Sequence, residues 1–480
     1  MEDFNLELVA KKSVKSVFAL ISRTFFIQIL GIFASFILTI YLSPSDFGVF
    51  FIVSSFVVFL NYFSDIGLAA SLIQRKEEPS LQEFRNAFTI QQLLVLVLIV
   101  PCFLLSPQIA SFFHIEGTGI YLLYAFLISF LLSSLKTIPT VILERRLDFH
   151  KLVIPQIAEN LVYNMTLILM AIGGYGVTSF TVAIVLRSIV GLVIIYIISP
   201  WKIGFAFDTK VLKGLMSFGI PFQINSLLAL VKDDLINIYI GKVLPLTQVG
   251  YIGFAQKWAF LPLRLVMDNV IKIMFPSLSR LQHDKNALRI VVEKSLFVIS
   301  FFIMPTAVGF IMLSPYFIDL IPSYQKWAPA YISIVFFALN TVVGSLSTPI
   351  TNFLYATGKA KITLYFMTGW TTLTWILTPL FIIKFGYNGV AIASFLVALS
   401  TLSIYFVARR YITFSFVRPI LKPLFTSLLM MLFIYLTKDF ITSLPILLVE
   451  VLLAAGLYFA VILYFTKNDI RRIIAFIRSN

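Results

Sequence analysis

Ionisable side chains fall inside otherwise apolar stretches of this sequence, and their types and spacing carry what chemistry it could perform. The basic ones are Arg23, Lys136, Arg187, Lys232, Lys257, Arg264 and Lys272, and the acidic ones are Asp65, Glu159, Asp233, Asp234, Asp268 and Glu450. Each costs about 2.5–3.5 kcal/mol at the centre of a membrane span unless a partner or a wet cavity receives it. Lys257, Arg264, Asp268 and Lys272 are spaced by 7, 4 and 4 residues. At about 100° per residue they share roughly 80° of arc, one polar stripe on a helix. Two readings stay open. The stripe lines a cavity, or Arg264–Asp268 and Asp268–Lys272 pair along the helix while Lys272 snorkels to the surface. Lys232, Asp233 and Asp234 are adjacent, so they point about 100° apart and at least one needs a neighbour. Asp233, Asp234 and Asp65 are the candidates for accepting a coupling cation or proton. Arg23 and Arg187 lie in the first and sixth spans, and Asn61 shares a face with Asp65. Lys136 and Glu159 lie near span ends, where snorkelling or a local pair suffices. An interior rich in Arg and Lys suits an anion, and the guanidinium fork suits phosphate. Arg23, Arg187, Lys257, Arg264 and Asp268 are the expected cavity residues. A drug-cation exporter would present carboxylates instead.

Other chemistries find no support. His114, His150 and His283 lack metal-ligand spacing, and Cys102 is a lone cysteine in an apolar run. There is no glycine loop followed by Lys-Ser/Thr and no nucleophile elbow. No catalytic residue, metal or cofactor is expected, and the chain reads as a non-enzyme.

The elements that must hold these groups follow from composition. Of 480 residues, 59% are hydrophobic and 12% charged, against about 25% charged in soluble domains. Mean hydropathy is +0.97. The apolar runs do not alternate, so they are helices rather than barrel strands. Fourteen spans are expected, at about 17–42, 46–73, 88–110, 119–143, 153–173, 179–200, 218–242, 250–275, 294–316, 328–355, 363–384, 388–409, 420–437 and 446–466. One set of connections, with both termini, carries 26 Lys and Arg, and the other set carries four. Basic loops stay in the cytoplasm, so both termini are expected there. The net charge of +15 is a matter of topology and not of nucleic-acid binding. The longer inner connections, 201–217 and 276–293, are expected as short amphipathic segments at the membrane surface or as solvated connectors.

The chain also echoes itself. Leu42-Ser43-Pro44-Ser45-Asp46-Phe47-Gly48 matches Leu244-Pro245-Leu246-Thr247-Gln248-Val249-Gly250, and Gly174-Tyr175-Gly176-Val177 matches Gly386-Tyr387-Asn388-Gly389-Val390. The expected organisation is therefore an all-α polytopic membrane protein with two like-oriented six-helix lobes. Residues 1–200 form the N-lobe, 201–217 a cytoplasmic connector, 218–410 the C-lobe, and 411–480 two further helices with a tail.

Several segments carry a family likeness: Asp65-Ile66-Gly67, Leu143-Glu144-Arg145-Arg146-Leu147-Asp148-Phe149, Ser199-Pro200-Trp201-Lys202, Asp234-Leu235-Ile236-Asn237 and Phe275-Pro276-Ser277-Leu278-Ser279-Arg280. In this order, over about residues 10–420, the chain resembles the polysaccharide-transporter branch of the MOP exporter superfamily. The resemblance implies alternating access of two lobes around a cavity in a bacterial cytoplasmic membrane. It implies a flippase whose substrate is a lipid-linked oligosaccharide, usually on polyprenyl diphosphate, with Arg23 matching a cation that holds the diphosphate. Polysaccharide polymerase or glycosyltransferase machinery would be the partner. A multidrug antiporter of the same fold and a non-transporting envelope scaffold are the alternatives.

Overall fold

The computed structural model describes the backbone of residues 6–479 except 66, 75–76, 210, 213–215, 217–226 and 228–229, and the side chains of residues 23–467 outside those positions and position 65. The Asp65 side chain and most of the expected seventh span lie outside the described residues. Every regular element is a helix among the described residues, as the apolar runs require. Eleven helices are long and apolar enough to cross a membrane, and twelve if the bent pair Gly119–Leu135 and Thr137–Arg145 is one span. The sequence predicts fourteen. The two others are the seventh span, of which Leu235–Val243 is the described helix, and the eighth, which breaks at Phe260 into Leu246–Ala259 and Leu261–Arg280. Pro262 explains the break: it has no N–H to donate to the Trp258 carbonyl, and it lies in the first turn of the new helix, where a missing donor is tolerated.

The chain divides into two compact units, Met1–Gly250 and Tyr251–Asn480. In the first, α1 (Leu6–Tyr41), α2 (Pro44–Asp65), α3 (Leu68–Gln74), α4 (Leu81–Leu104), α5 (Ser106–Phe112), α6 (Gly119–Leu135), α7 (Thr137–Arg145), α8 (Phe149–Ile172), α9 (Val177–Ile198) and α10 (Leu235–Val243) precede the first turn of α11 (Leu246–Ala259). α8 lies between α1 and α9, α9 packs on α6, and α6 packs on α2 and α4. Residues 201–208 have no regular secondary structure, as in the connector alternative. Side chains of α4 hold them: Thr89 Oγ1 accepts from Ala206 N–H at 3.1 Å, Asn86 Oδ1 accepts from Asp208 N–H, and Phe88 packs edge-on against Trp201.

The first of the two turn motifs makes a tight helix contact. A β-carbon on Gly48 would overlap the Leu246 carbonyl, and one on Gly250 would overlap the Pro44 carbonyl. The contact is reciprocal: each glycine admits the backbone of the other motif. In the second motif Gly176 and Gly386 share a left-handed backbone, with φ +52°, ψ −131° and φ +60°, ψ −146°. Such angles favour glycine, and they align Gly386 with Gly176 rather than with Gly174.

In the second unit, α12 (Leu261–Arg280) packs on α13 (Lys285–Leu320) and α14 (Tyr331–Ala356), and α13 also contacts α18 (Val417–Thr437) and α19 (Leu444–Ser479). Between α14 and α18 run α15 (Ala360–Phe385), α16 (Asn388–Thr401) and α17 (Ile404–Ala408). The inner connection expected over 276–293 is only a short turn around Leu281–Asp284, because both flanking helices continue past their apolar stretches. Charged faces such as Lys285 to Lys294 lower hydropathy without ending a helix, and the Asp284 side chain caps α13 by accepting from the Asn286 and Ala287 amides.

Prolines inside these helices orphan the carbonyl four residues earlier. Three tyrosines from other helices take up such carbonyls. Tyr196 Oη donates to Leu135 O at 3.1 Å ahead of Pro139, Tyr458 Oη donates to Phe301 O at 2.8 Å ahead of Pro305, and Tyr331 Oη donates to Ile311 O at 3.2 Å ahead of Pro315. Lipid offers no substitute donor. Tyr458→Phe should therefore cost about 1–3 kcal/mol and lower the unfolding temperature of the detergent-purified protein. Adding Pro305→Ala, which restores the helix's own donor, should recover part of the loss. A strictly additive double variant would contradict this account.

Candidate cation-rich face of α8

Every third or fourth residue along the middle of α8 is polar: Gln156, Glu159, Asn160, Tyr163 and Asn164. At about 100° per residue they occupy roughly 140° of arc, and α1 and α9 bring cations to this face. Arg23 of α1 donates through Nη1 to Gln156 Oε1 and through Nη2 to Thr24 Oγ1 at 3.2 Å. Its Nε is buried with no hydrogen-bond partner among the described residues. Arg187 of α9 approaches Glu159 Oε2 through Nε at 3.7 Å and lies over the Tyr163 ring at 5.5 Å. Lys136 pairs with Glu159 Oε1 at 2.6 Å. Two of the three cations, Lys136 and Arg187, share the buried Glu159 carboxylate, and Arg23 meets only neutral partners, so among the described residues this face has a formal excess of two positive charges.

The position of each partner follows from local sequence. Pro139 cannot donate to Leu135 O, so the span bends by 40° between α6 and α7, and Lys136 occupies the bend. Glu159 fits against α9 because residue 191 is glycine: a β-carbon there would overlap its carboxylate. Glu159 and Tyr163 are four apart on α8, as are Arg187 and Gly191 on α9, so each pair meets the other helix at one level. Gln156 and Tyr163 are seven positions apart with Glu159 between them, so Arg23 and Arg187 are anchored within about 10 Å along α8.

Arg23 and Arg187, both named in the sequence as candidates, reach the same face of α8. Lys136 and Glu159 form the local pair that their sequence positions suggest, but that pair also reaches Arg187. The contributions of Gln156 and Tyr163 were missed. Their signal was present in the polar periodicity of 156, 159, 160, 163 and 164, which is weaker than a charge in an apolar run.

The remaining candidates lie elsewhere. Asp233 pairs with the adjacent Lys232 at 2.8 Å and is largely exposed. Its backbone carbonyl, not its carboxylate, accepts from Asn237 Nδ2. Asp234 is half-buried at the break that precedes α10. In the second unit Lys257 is exposed near the end of α11, and Arg264, Asp268 and Lys272 are exposed along one face of α12. Among the described residues Arg264, Asp268 and Lys272 form no ion pair with one another. No group of His, Cys, Asp and Glu among the described residues is arranged to hold a metal ion.

Apolar spans around a cation-rich polar face define a multi-pass helical membrane protein, and its fold is shared with a known flippase. The structure titled "Lipid II flippase MurJ, inward closed conformation" superposes with a TM-score of 0.78 at 20% identity, covering 95% of this chain and 100% of that one. Residues 37–332 match the family described as polysaccharide biosynthesis protein, and the chain belongs to that family. A Klebsiella pneumoniae protein described as "Uncharacterized membrane protein in cps region" is 25% identical over 371 residues, 75% of this chain and 74% of that protein. The Escherichia coli (strain K12) lipopolysaccharide biosynthesis protein WzxC is 23% identical over 351 residues, 70% of this chain and 68% of that protein.

Proposed function

We propose that this protein is a flippase that carries a lipid-linked oligosaccharide repeat unit from the cytoplasmic to the outer leaflet of a bacterial cell membrane for surface-polysaccharide assembly. The observation that carries this reading is the positive excess on the α8 face within an apolar bundle. A glycosyl diphosphate ester bears two negative charges at neutral pH, which matches the excess of two. Arg187 offers its guanidinium fork, and the buried Arg23 Nε gains the acceptor it lacks. Ionised hydrogen bonds of this kind are roughly twice as strong as neutral ones. The lipid tail stays in the bilayer while the head group crosses. Both termini lie in the cytoplasm in this reading, following the distribution of basic residues. Purified protein reconstituted in liposomes should flip a polyprenyl-diphosphate oligosaccharide, assayed with and without imposed ion gradients. Failure to move it, together with transport of organic cations, would replace the reading with that of an antiporter.

A further inference from the structure

Glu159 is a buried titratable group that this function leaves unused. Three contacts fix its carboxylate. Lys136 at the bend of the α6–α7 span holds Oε1 at 2.6 Å, Gly191 makes room for it, and Oε2 faces Arg187 Nε at 3.7 Å. The two ends of the carboxylate are not equivalent. The Lys136 contact is short and largely shielded, with side-chain exposures of 18% and 11%, whereas Arg187 is 43% exposed and stands beyond hydrogen-bond reach. Glu159 and Tyr163 approach Arg187 from the α8 side, and no hydrogen bond occupies its terminal Nη nitrogens among the described residues. The fork is thus open while a negative charge stands behind it.

We infer that Glu159 is a positioning residue that acts through Arg187: it aims the open fork and, as a standing competitor for the same guanidinium, speeds release of the bound diphosphate. The inference rests on the reading that Arg187 receives the diphosphate. A transported ion must be held well enough to enter and loosely enough to leave. A carboxylate tied to Lys136 on one side and resting loosely against Arg187 on the other meets that need. It is fixed in place, so it recaptures Arg187 as soon as the ligand loosens. Asn160 and Asn164 of the same face donate to backbone carbonyls at 2.8 and 2.7 Å and carry no charge, so neither substitutes for it.

The test uses the full chain in lipid nanodiscs with undecaprenyl diphosphate as the probe, and measures equilibrium affinity and dissociation rate. Glu159→Gln keeps the shape and removes the competing charge. It should tighten binding about tenfold, corresponding to one weak ion pair, with the change in the dissociation rate. The double variant Lys136→Gln/Glu159→Gln removes the pair together, restores the formal charge of the face and avoids an unpaired lysine. It should show the same slowed release, and it carries the test if Glu159→Gln fails to fold. A double variant with wild-type release would mean that net charge, not the contact with Arg187, sets the rate, and the inference would fall. Arg187→Ala separates the two claims. If it binds like wild type, the diphosphate site and the role of Glu159 both fall. If it loses binding while Glu159→Gln releases at the wild-type rate or faster, only the role of Glu159 falls.

Discussion

Replacing Arg23 and Arg187 together with alanine should abolish glycan export while the chain remains folded in the membrane. Each guanidinium is expected to contribute about 1.5–3 kcal/mol to holding a phosphate, the range for hydrogen bonds to charged groups. Each single variant should then lose roughly ten- to a hundredfold in transport, since 1.4 kcal/mol is about tenfold. Folding should survive because neither arginine supports the core. Arg23 bonds to the neutral Gln156, and Arg187 meets Glu159 only at 3.7 Å, while Lys136 keeps the carboxylate paired. Arg187→Lys retains the charge but not the fork, so it should fall between wild type and alanine. The measurement is the accumulation of lipid-linked repeat units, with surface polysaccharide, in a null strain complemented by each variant. Normal export by the double variant at normal membrane levels would remove the α8 face from the mechanism. Arg264→Ala, on the exposed face of α12, reports in the same assay whether the second unit contributes a cation of its own.

The second large effect is expected at Gly48 and Gly250. A side chain at Gly48 meets the Leu246 carbonyl and one at Gly250 meets the Pro44 carbonyl, so the obstacle is backbone in both cases. A flexible side chain swings aside, but a helix does not. Overpacking typically costs about 1–3 kcal/mol and sometimes more, and a backbone obstacle places Gly48→Val at or above the upper end. Folded yield, followed by fluorescence-detected size exclusion, should drop sharply for Gly48→Val. Gly48→Ala and Gly250→Ala should each lower the unfolding temperature by several degrees. Their combination should cost less than the sum, because the first displacement already separates the helices. Two alanine variants with wild-type stability would show that the contact is not close in solution.

Much of this architecture is legible in the sequence because the bilayer imposes it. Apolar runs of span length have to be helices, and eleven of the expected fourteen qualify directly, with a twelfth once its bend is counted as one span. The bends were harder to place. Pro262 and Pro139 are visible, but the loss of helix at Phe260 and at Lys136 depends on whether a neighbour accommodates the interruption. The inner connection over 276–293 is helical at 276–280 and 285–293, as the ends of two long helices, because hydropathy reports where lipid ends and not where a helix ends. The site was legible as a set of charges but not as a constellation. Periodicity puts Lys257, Arg264, Asp268 and Lys272 on one stripe of a continuous helix, yet the break at Phe260 divides that stripe. Conversely, Lys136, Glu159 and Arg187 are separated by 23 and 28 residues. Only the packing of α8 against α9, through a glycine with no functional signature, joins them.

The tyrosine hydroxyls that take up proline-orphaned carbonyls bear on how these helices move. A proline kink left to itself is a soft joint, free to flex because nothing completes its missing bond. Here the bond is completed by a residue of another helix, so the joint's stiffness is set by its neighbour. Flexing the α13 segment at Pro305, for example, would break the bond to Tyr458 in α19, and lipid would supply no replacement. Flexing at these three points is thus a concerted displacement of two helices, and a single phenol oxygen in each case decides whether the pair moves as one body.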